Sequence, residues 1–387
     1  MKVEISKNTW QWIMQKVGTE INQLFLPYIN GEESPTVAKI RDLSKKSKIP
    51  FGYFFLNEPP VENFGILEFR TVGSEAQNAY SRDLYDTVTQ MTDILEWIKQ
   101  DRVTNNFEKI EYIKSISISN GIESASNHIR NILKLEPDFV ISSKFNDPDK
   151  AYKNIKKLIS DSGTTVMQNG CVGNNTKRPL SVEEFRAFAL IDDYAPLIFI
   201  NTKDSIKAKV FSLLHEFVHV CLGQNSLYNL QDDGDSHKLS DIEVFCNAVA
   251  AEILVSKELL KISWVENSDD NISDKIKSLS KVFCASSSQV LIRRLFDCDL
   301  IDKNTYFSQI NIIKQEYKNL SPKKEKGSGG DFYKTAQSRI DHNFILSLNS
   351  SVNEGKTLYT EAFRLTNSNR FTFDKIIDEV IGGHNHE

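Results

Sequence analysis

The chain has 387 residues, with 47 Lys and Arg against 52 Asp and Glu, a formal net charge of -5, 40% hydrophobic and 26% charged residues. This ordinary globular mixture fits about two to three domains at roughly 150 residues each. It excludes a largely disordered chain and a protein that binds nucleic acid through overall basic charge. No apolar run reaches the roughly 18 residues of a membrane span. The start, MKVEISKNTWQWIMQKVG, carries no signal-peptide core. Cys171, Cys221, Cys246, Cys284 and Cys298 include no CxxC pair, so reduced thiols in a cytoplasmic protein are expected.

The first sixty residues read as short helices. Ser6 caps a helix carrying Trp10, Ile13, Met14 and Val17, and Gly18 ends it. A second helix is expected from Thr19 to about Tyr28. Asn30-Gly31 marks a turn, Ser34-Pro35 opens a third helix with Val37, Ile40 and Leu43, and Pro59-Pro60 closes the unit. Such a series resembles a helix-turn-helix module. Further helices are expected from about Ser81 to Gln100, from Gly121 to Leu135 and over 151–160.

The period changes after Gly163. Thr164–Val166, Phe185–Ile191 and Leu197–Asn201 read as strands. Phe185–Ile191 is either an edge strand able to pair with a peptide or an ordinary internal strand. A helix follows from about Ser205 to Leu222 and ends at Gly223. Residues 224–240 read as a polar loop, and Asp241 is expected to cap a helix running to about Val255. SPKKEKGSGG (321–330) reads as a linker before a small tail. The expected divisions are 1–60, 61–160, 161–320 and 331–387, and the fold class is α+β, mostly helical with a short sheet.

The strongest chemical signal is His215-Glu216-Phe217-Val218-His219. This HExxH pentad lies in a helix that is apolar on nearly all sides, which predicts burial. Histidines at i and i+4 share one face and can meet one zinc ion. Glu216 lies about 100° around the helix from His215, where a base for a zinc-activated water belongs. Two buried histidines and a buried glutamate would be costly without a cation.

A third ligand is required. Position 225, six residues past the pentad, is Asn, so the metzincin pattern is absent. Glu243 and Glu252 of the next helix point in opposite directions, so only one faces the zinc helix. Glu243, sharing a face with Asn247 and Ala250, is the better candidate, and Glu252 is expected to be solvated. His237 and Asp235 in the polar loop remain weaker alternatives. Asn247 and Asp241 are candidates for orienting the ligands. Tyr194, Tyr228 and His237 are candidate donors to an oxyanion.

EFRAFALIDDYAPLIFINTKDSIKAKVFSLLHEFVHVCLG and IEVFCNAVAAEILVS together resemble the ImmA/IrrE family of metallopeptidases, also filed as domain of unknown function 955. The close resemblance spans about 183–256, and a looser one spans most of the chain. It implies a zincin-like core, zinc on His215, His219 and Glu243, and Glu216 as catalytic acid and base. It also implies site-limited cleavage of a DNA-bound repressor, switching on mobile-element, phage or stress-response genes. The N-terminal unit resembles the phage-repressor helix-turn-helix of longer members. Its counterpart of the DNA-reading helix, TEINQLFLPY (19–28), carries Glu20 and no Lys or Arg. Lys39, Arg41, Lys45, Lys46 and Lys48 on the following helix are candidate phosphate contacts. A repressor-docking or capping role for this unit is the alternative to DNA binding.

Competing readings of the whole chain are a non-cleaving antirepressor and a latent protease of a toxin or phage-defence system. A homo-oligomer is compatible with either.

Overall fold

The computed structural model describes residues 2–16, 23–60, 81–228, 240–267, 271–319 and 332–382. Three short helices open it: α1 (Lys7–Lys16), α2 (Leu26–Ile29) and α3 (Val37–Ser47), followed by a 3-10 turn at Phe51–Phe55. Ser6 caps α1 as expected, its Oγ accepting from the Thr9 amide at 3.1 Å. Trp10, Ile13, Phe25, Ile40, Leu43, Ile49 and Phe54 close a small core of their own. The expected helix over 19–28 lies partly outside the described residues, and its described end is a turn plus the four-residue α2. The cap of α3 is Thr36, not Ser34; Thr36 Oγ1 accepts from the Lys39 amide at 3.3 Å. Pro35 instead offers its carbonyl to the Val3 amide at 2.9 Å.

Helices α4 (Arg82–Thr104), α5 (Ile122–Leu133) and α6 (Pro148–Asp161) lead into the sheet. Its strands are β1 (Thr165–Asn169), β2 (Ala187–Leu190), β3 (Leu197–Asn201) and β4 (Ser226–Tyr228), in the order β1-β3-β2-β4. β1 runs parallel to β3, while β2 is antiparallel to both β3 and β4. The mostly helical chain with this small mixed sheet is α+β.

The polar stretch 224–240 was expected to be loop throughout, yet it supplies β4. Strand β2 is therefore internal, hydrogen-bonded on both sides, and is not the edge. Among the described residues that edge belongs to β4.

Both faces of the sheet are buried, and side-chain alternation divides them. Val166, Ala187, Ala189, Ile198 and Ile200 point into one core with α5, α6, α7 (Ile206–Leu222) and α8 (Asp241–Leu254). Met167, Phe188, Leu190, Leu197 and Phe199 point into the other, where Phe188 stacks on Phe199 with centroids 5.1 Å apart. That second core is completed by α4 and by the C-terminal helices α13 (Phe332–Arg339), α14 (His342–Asn353), α15 (Tyr359–Thr366) and α16 (Arg370–Gly382). Helices α9 (Lys257–Glu266), α10 (Ile272–Val282), α11 (Ser288–Asp297) and α12 (Lys303–Asn319) follow α8 in the chain and add Leu260, Leu279, Leu291 and Ile313 to the first core.

The tail packs directly on the sheet. Asp341 caps α14 and also accepts from the Val166 amide of β1 at 3.0 Å. Trp97 of α4 donates to Thr357 Oγ1 at 3.1 Å. The stretch 321–330, read as a linker, lies outside the described residues.

Helix α7 begins at Ser205, whose hydroxyl accepts from the Ala208 amide. It ends at Gly223, left-handed at φ 71°. There the Gln224 amide bonds the His219 carbonyl at 3.1 Å and the Gly223 amide bonds that of Val220 at 3.0 Å. This closing motif needs a residue that adopts positive φ without strain. Ala187 and Ala189 face α7 across the sheet, and their small side chains let the helix sit close.

Candidate metal centre

The pentad occupies the middle of α7, with His215 and Glu216 0% exposed and His219 2% exposed. A helix that is apolar all round can only be placed inside, and α7 lies between the sheet, α6 and α8. Helix α8 brings Glu243 to the same point. Its cap is Ser240, not Asp241: Ser240 Oγ accepts from the Glu243 amide at 3.3 Å. Ser240-Asp241-Ile242-Glu243 reads as a capping box, in which the glutamate would turn back to the cap. Here its carboxylate reaches across to α7 instead.

Glu243 Oε2 lies 3.3 Å from His215 Nε2, and Glu243 Oε1 lies 3.4 Å from His219 Nε2. The two Nε2 atoms are 3.1 Å apart. Ligands placed tetrahedrally at 2.0–2.1 Å from one ion stand about 3.3–3.4 Å from each other. The gap between the two rings, and the gap from each ring to its facing carboxylate oxygen, are thus close to the ligand–ligand spacing of a zinc site. His215, His219 and Glu243 form the one such cluster of His, Cys, Asp or Glu among the described residues. Nitrogen and carboxylate donors are those zinc takes at catalytic sites.

The electrostatics suit a cation. Burial pushes the His215 imidazole down to about 4, so it is neutral near pH 7, the form a metal requires. Burial also opposes charge on His219, but hydrogen bonds with Cys246 and Glu243 outweigh it and raise that ring well above the usual value. Burial likewise works against ionisation of Glu243, yet hydrogen bonds from both imidazoles hold its carboxyl well below the usual carboxylate range. The three groups behave as one unit, with the Glu243 charge facing both rings.

Glu216 is buried beside this cluster on the same helix, and its Oε2 accepts from the Ser226 hydroxyl on β4. Asn247 lies one turn after Glu243 on the same helix, near His215. Cys246 reaches His219. Both Cys246 and Cys221 are fully buried, and burial pushes both thiols up, as inert interior cysteines require.

Asp241 is exposed in the first turn of α8. Tyr194 sits in the β2–β3 loop. Its carbonyl accepts from Arg102 at 2.5 Å, and its ring lies 5.7 Å from Lys109 Nζ. Tyr228 pairs with Ala187 through its β4 backbone. His237 and Asp235, like the tail residues His384 and His386, lie outside the described residues.

Among the proposed phosphate contacts, Lys46 pairs with Asp42 at 3.1 Å and Lys48 with Asp83 at 2.5 Å. Arg41 lies 5.7 Å from the Phe51 ring centroid. Lys45 is exposed and Lys39 half-buried.

Glu252 was expected to be solvated and is not. It is 9% exposed and forms an ion pair with Arg294. Arg130 Nη2 donates to the Glu252 carbonyl at 2.6 Å. Helix α8 points outward from α7 at this position but inward against α5 and α11. The sequence lacked any marker of those two helices as neighbours. Ser226 also escaped the sequence reading, because it belongs to no ligand pattern.

The donor set is thus one that could hold a metal ion. Residues 176–294 match the family described as the IrrE N-terminal-like domain, Peptidase_M78, a span from before β2 into α11. This supports the ImmA/IrrE resemblance over that span and points to a metallopeptidase of that type. Residues 340–379 match a domain of unknown function, DUF8813, within the C-terminal helices. No curated protein and no solved structure matches the chain.

Proposed function

We propose that the chain is a zinc-dependent endopeptidase acting on a protein substrate, a DNA-binding repressor by family resemblance. Its cleavage would switch on mobile-element, phage or stress-response genes. The observation that carries this reading is the convergence of His215, His219 and Glu243 at zinc-ligand spacing with Glu216 buried on the same helix. A pure binding module has no use for that glutamate.

Zinc held by these three residues supplies Lewis acidity toward water and toward a peptide carbonyl. Glu216 accepts the proton of the attacking water and passes it to the leaving amine. Asn247, beside His215 on the neighbouring helix, is placed to orient that ring. Strand β4 offers an extended peptide a backbone edge beside α7, the recognition mode of strand addition. The N-terminal helical unit serves in this reading to dock the repressor. Two of its five candidate cations are already engaged by Asp42 and Asp83, which weakens the case for DNA binding.

The test is the zinc content of the wild type and of Glu216→Gln, each then incubated with the repressor encoded beside the gene. The expected result is about one zinc per chain in both proteins and cleavage by the wild type alone. Zinc without cleavage in either would favour a non-cleaving antirepressor or a latent protease. Absence of zinc in both would overturn the ligand set.

A further inference from the structure

We infer that Ser226 is a positioning residue for Glu216: its hydroxyl, carried on the edge strand, fixes the orientation of the carboxylate that moves the proton. The inference rests on the proposed role of Glu216 and adds to it the group that holds the base in place.

The contact follows from how the chain leaves α7. Gly223 ends the helix in the left-handed region, at φ 71°, and turns the chain back. Asn225 Oδ1 then accepts from the Ile191 amide at 2.6 Å, tying the returning chain to the end of β2. Ser226 pairs with Ala189, Leu227 with Phe188 and Tyr228 with Ala187. Residues paired across strands point to the same face of a sheet. Ala189 faces α7, and Phe188 faces the opposite core. Register therefore sends the Ser226 hydroxyl down to α7 and Leu227 away from it. A slip of one residue would put a leucine against the Glu216 carboxylate.

Ser226 is 7% exposed and Glu216 is 0% exposed. The hydroxyl donates to Glu216 Oε2 out of reach of bulk water. A hydrogen bond to a charged group in such a setting is stronger than one between neutral partners. It also restricts rotation of the carboxylate about its terminal torsion, which is otherwise broad. The donor stands on the strand that would align the substrate backbone, so one short element would set both the peptide and the base.

Full-length zinc-loaded Ser226→Ala and Ser226→Thr are compared with the wild type on the repressor. Ser226→Ala is expected to keep its zinc and to keep KM within about twofold, while kcat falls on the order of tenfold or more. Ser226→Thr, which keeps a hydroxyl, is expected to recover most of kcat. Metal-free protein gives an independent readout. Ser226→Ala should lower Tm in the wild type but leave Tm unchanged in a Glu216→Met background, where the acceptor is gone. An unchanged kcat in Ser226→Ala, failure of threonine to restore it, or equal Tm losses in both backgrounds would overturn the inference. A wild type that cuts nothing would instead overturn the functional reading and the inference with it. Cleavage by the wild type and by Ser226→Ala at the same rate removes only the role of Ser226.

Discussion

Glu252 and Arg294 form a buried ion pair at one end of the helix whose other end presents Glu243 to the metal centre. Two glutamates of one helix thus do unrelated work. Arg294 Nε also donates to the Val255 carbonyl at 3.1 Å, and Glu252 Oε1 accepts from the Lys257 amide at 3.1 Å. The pair locks the end of α8 to α11. Glu252→Ala leaves two guanidinium groups buried with less compensation, which costs about 3–5 kcal/mol. Denaturant unfolding should read this loss. Zinc content of the protein that remains folded should be unchanged, because no ligand is touched.

Glu243→Ala should behave in the opposite way. It removes one corner of the ligand triangle and the charge that faces both imidazoles. Zinc retained through gel filtration should fall to background while the metal-free Tm changes little. In the wild type, free zinc at a hundredfold excess over Kd stabilises by about 2.7 kcal/mol. A chelator should therefore lower the wild-type Tm and leave that of Glu243→Ala unmoved. A zinc-dependent Tm in the variant would count against Glu243 as a ligand.

Ala189 sits between the sheet and α7 with 0% exposure and pairs with Ser226. Ala189→Leu overfills this contact and should cost about 1–3 kcal/mol. The displaced helix carries both histidines, so zinc affinity should fall together with stability. A leucine variant with wild-type stability and affinity would mean that α7 does not depend on close approach to β2.

Lys156 gives a stability change with pH. Desolvation pushes the ammonium of this half-buried lysine from 10.5 down to about 8, against the pull of Asp341, and its Nζ donates to the Ser338 carbonyl at 3.1 Å. Between about pH 8 and pH 10.5 the unfolded chain holds this proton and the folded chain does not. The cost of the buried charge is thus fully present below pH 8 and fades as pH rises through that window. Lys156→Met should flatten this rise, seen as the difference between wild-type and variant unfolding free energies across the window. Parallel curves would exclude a perturbed Lys156.

Local signals were legible where the physics is local. The apolar run around His215 and His219, the serine before α7 and the glycine after it define a buried, capped helix with two ligands on one face. Leu197–Asn201 is an apolar run that reads as a strand buried on both faces, and the opposed faces of Glu243 and Glu252 on the next helix pointed to Glu243 as the third donor. Cap positions near Ser34 and Asp241 were displaced by one or two residues, because neighbouring Ser, Thr and Asp compete for the same amides.

Sequence by itself therefore singled out the candidate metal ligands, the helix that carries two of them and the α+β class. Tertiary structure alone decided that β4 forms within a polar stretch, that β2 lies inside the sheet, that Glu252 is buried and that Ser226 meets Glu216. Each of these depends on a partner distant in the chain: β2 for β4 and for the register that turns Ser226 toward Glu216, and α11 for Glu252. A short polar strand has no apolar period to announce it. A charged residue is exposed or buried according to the helix packed against it, and that neighbour is chosen by the whole core.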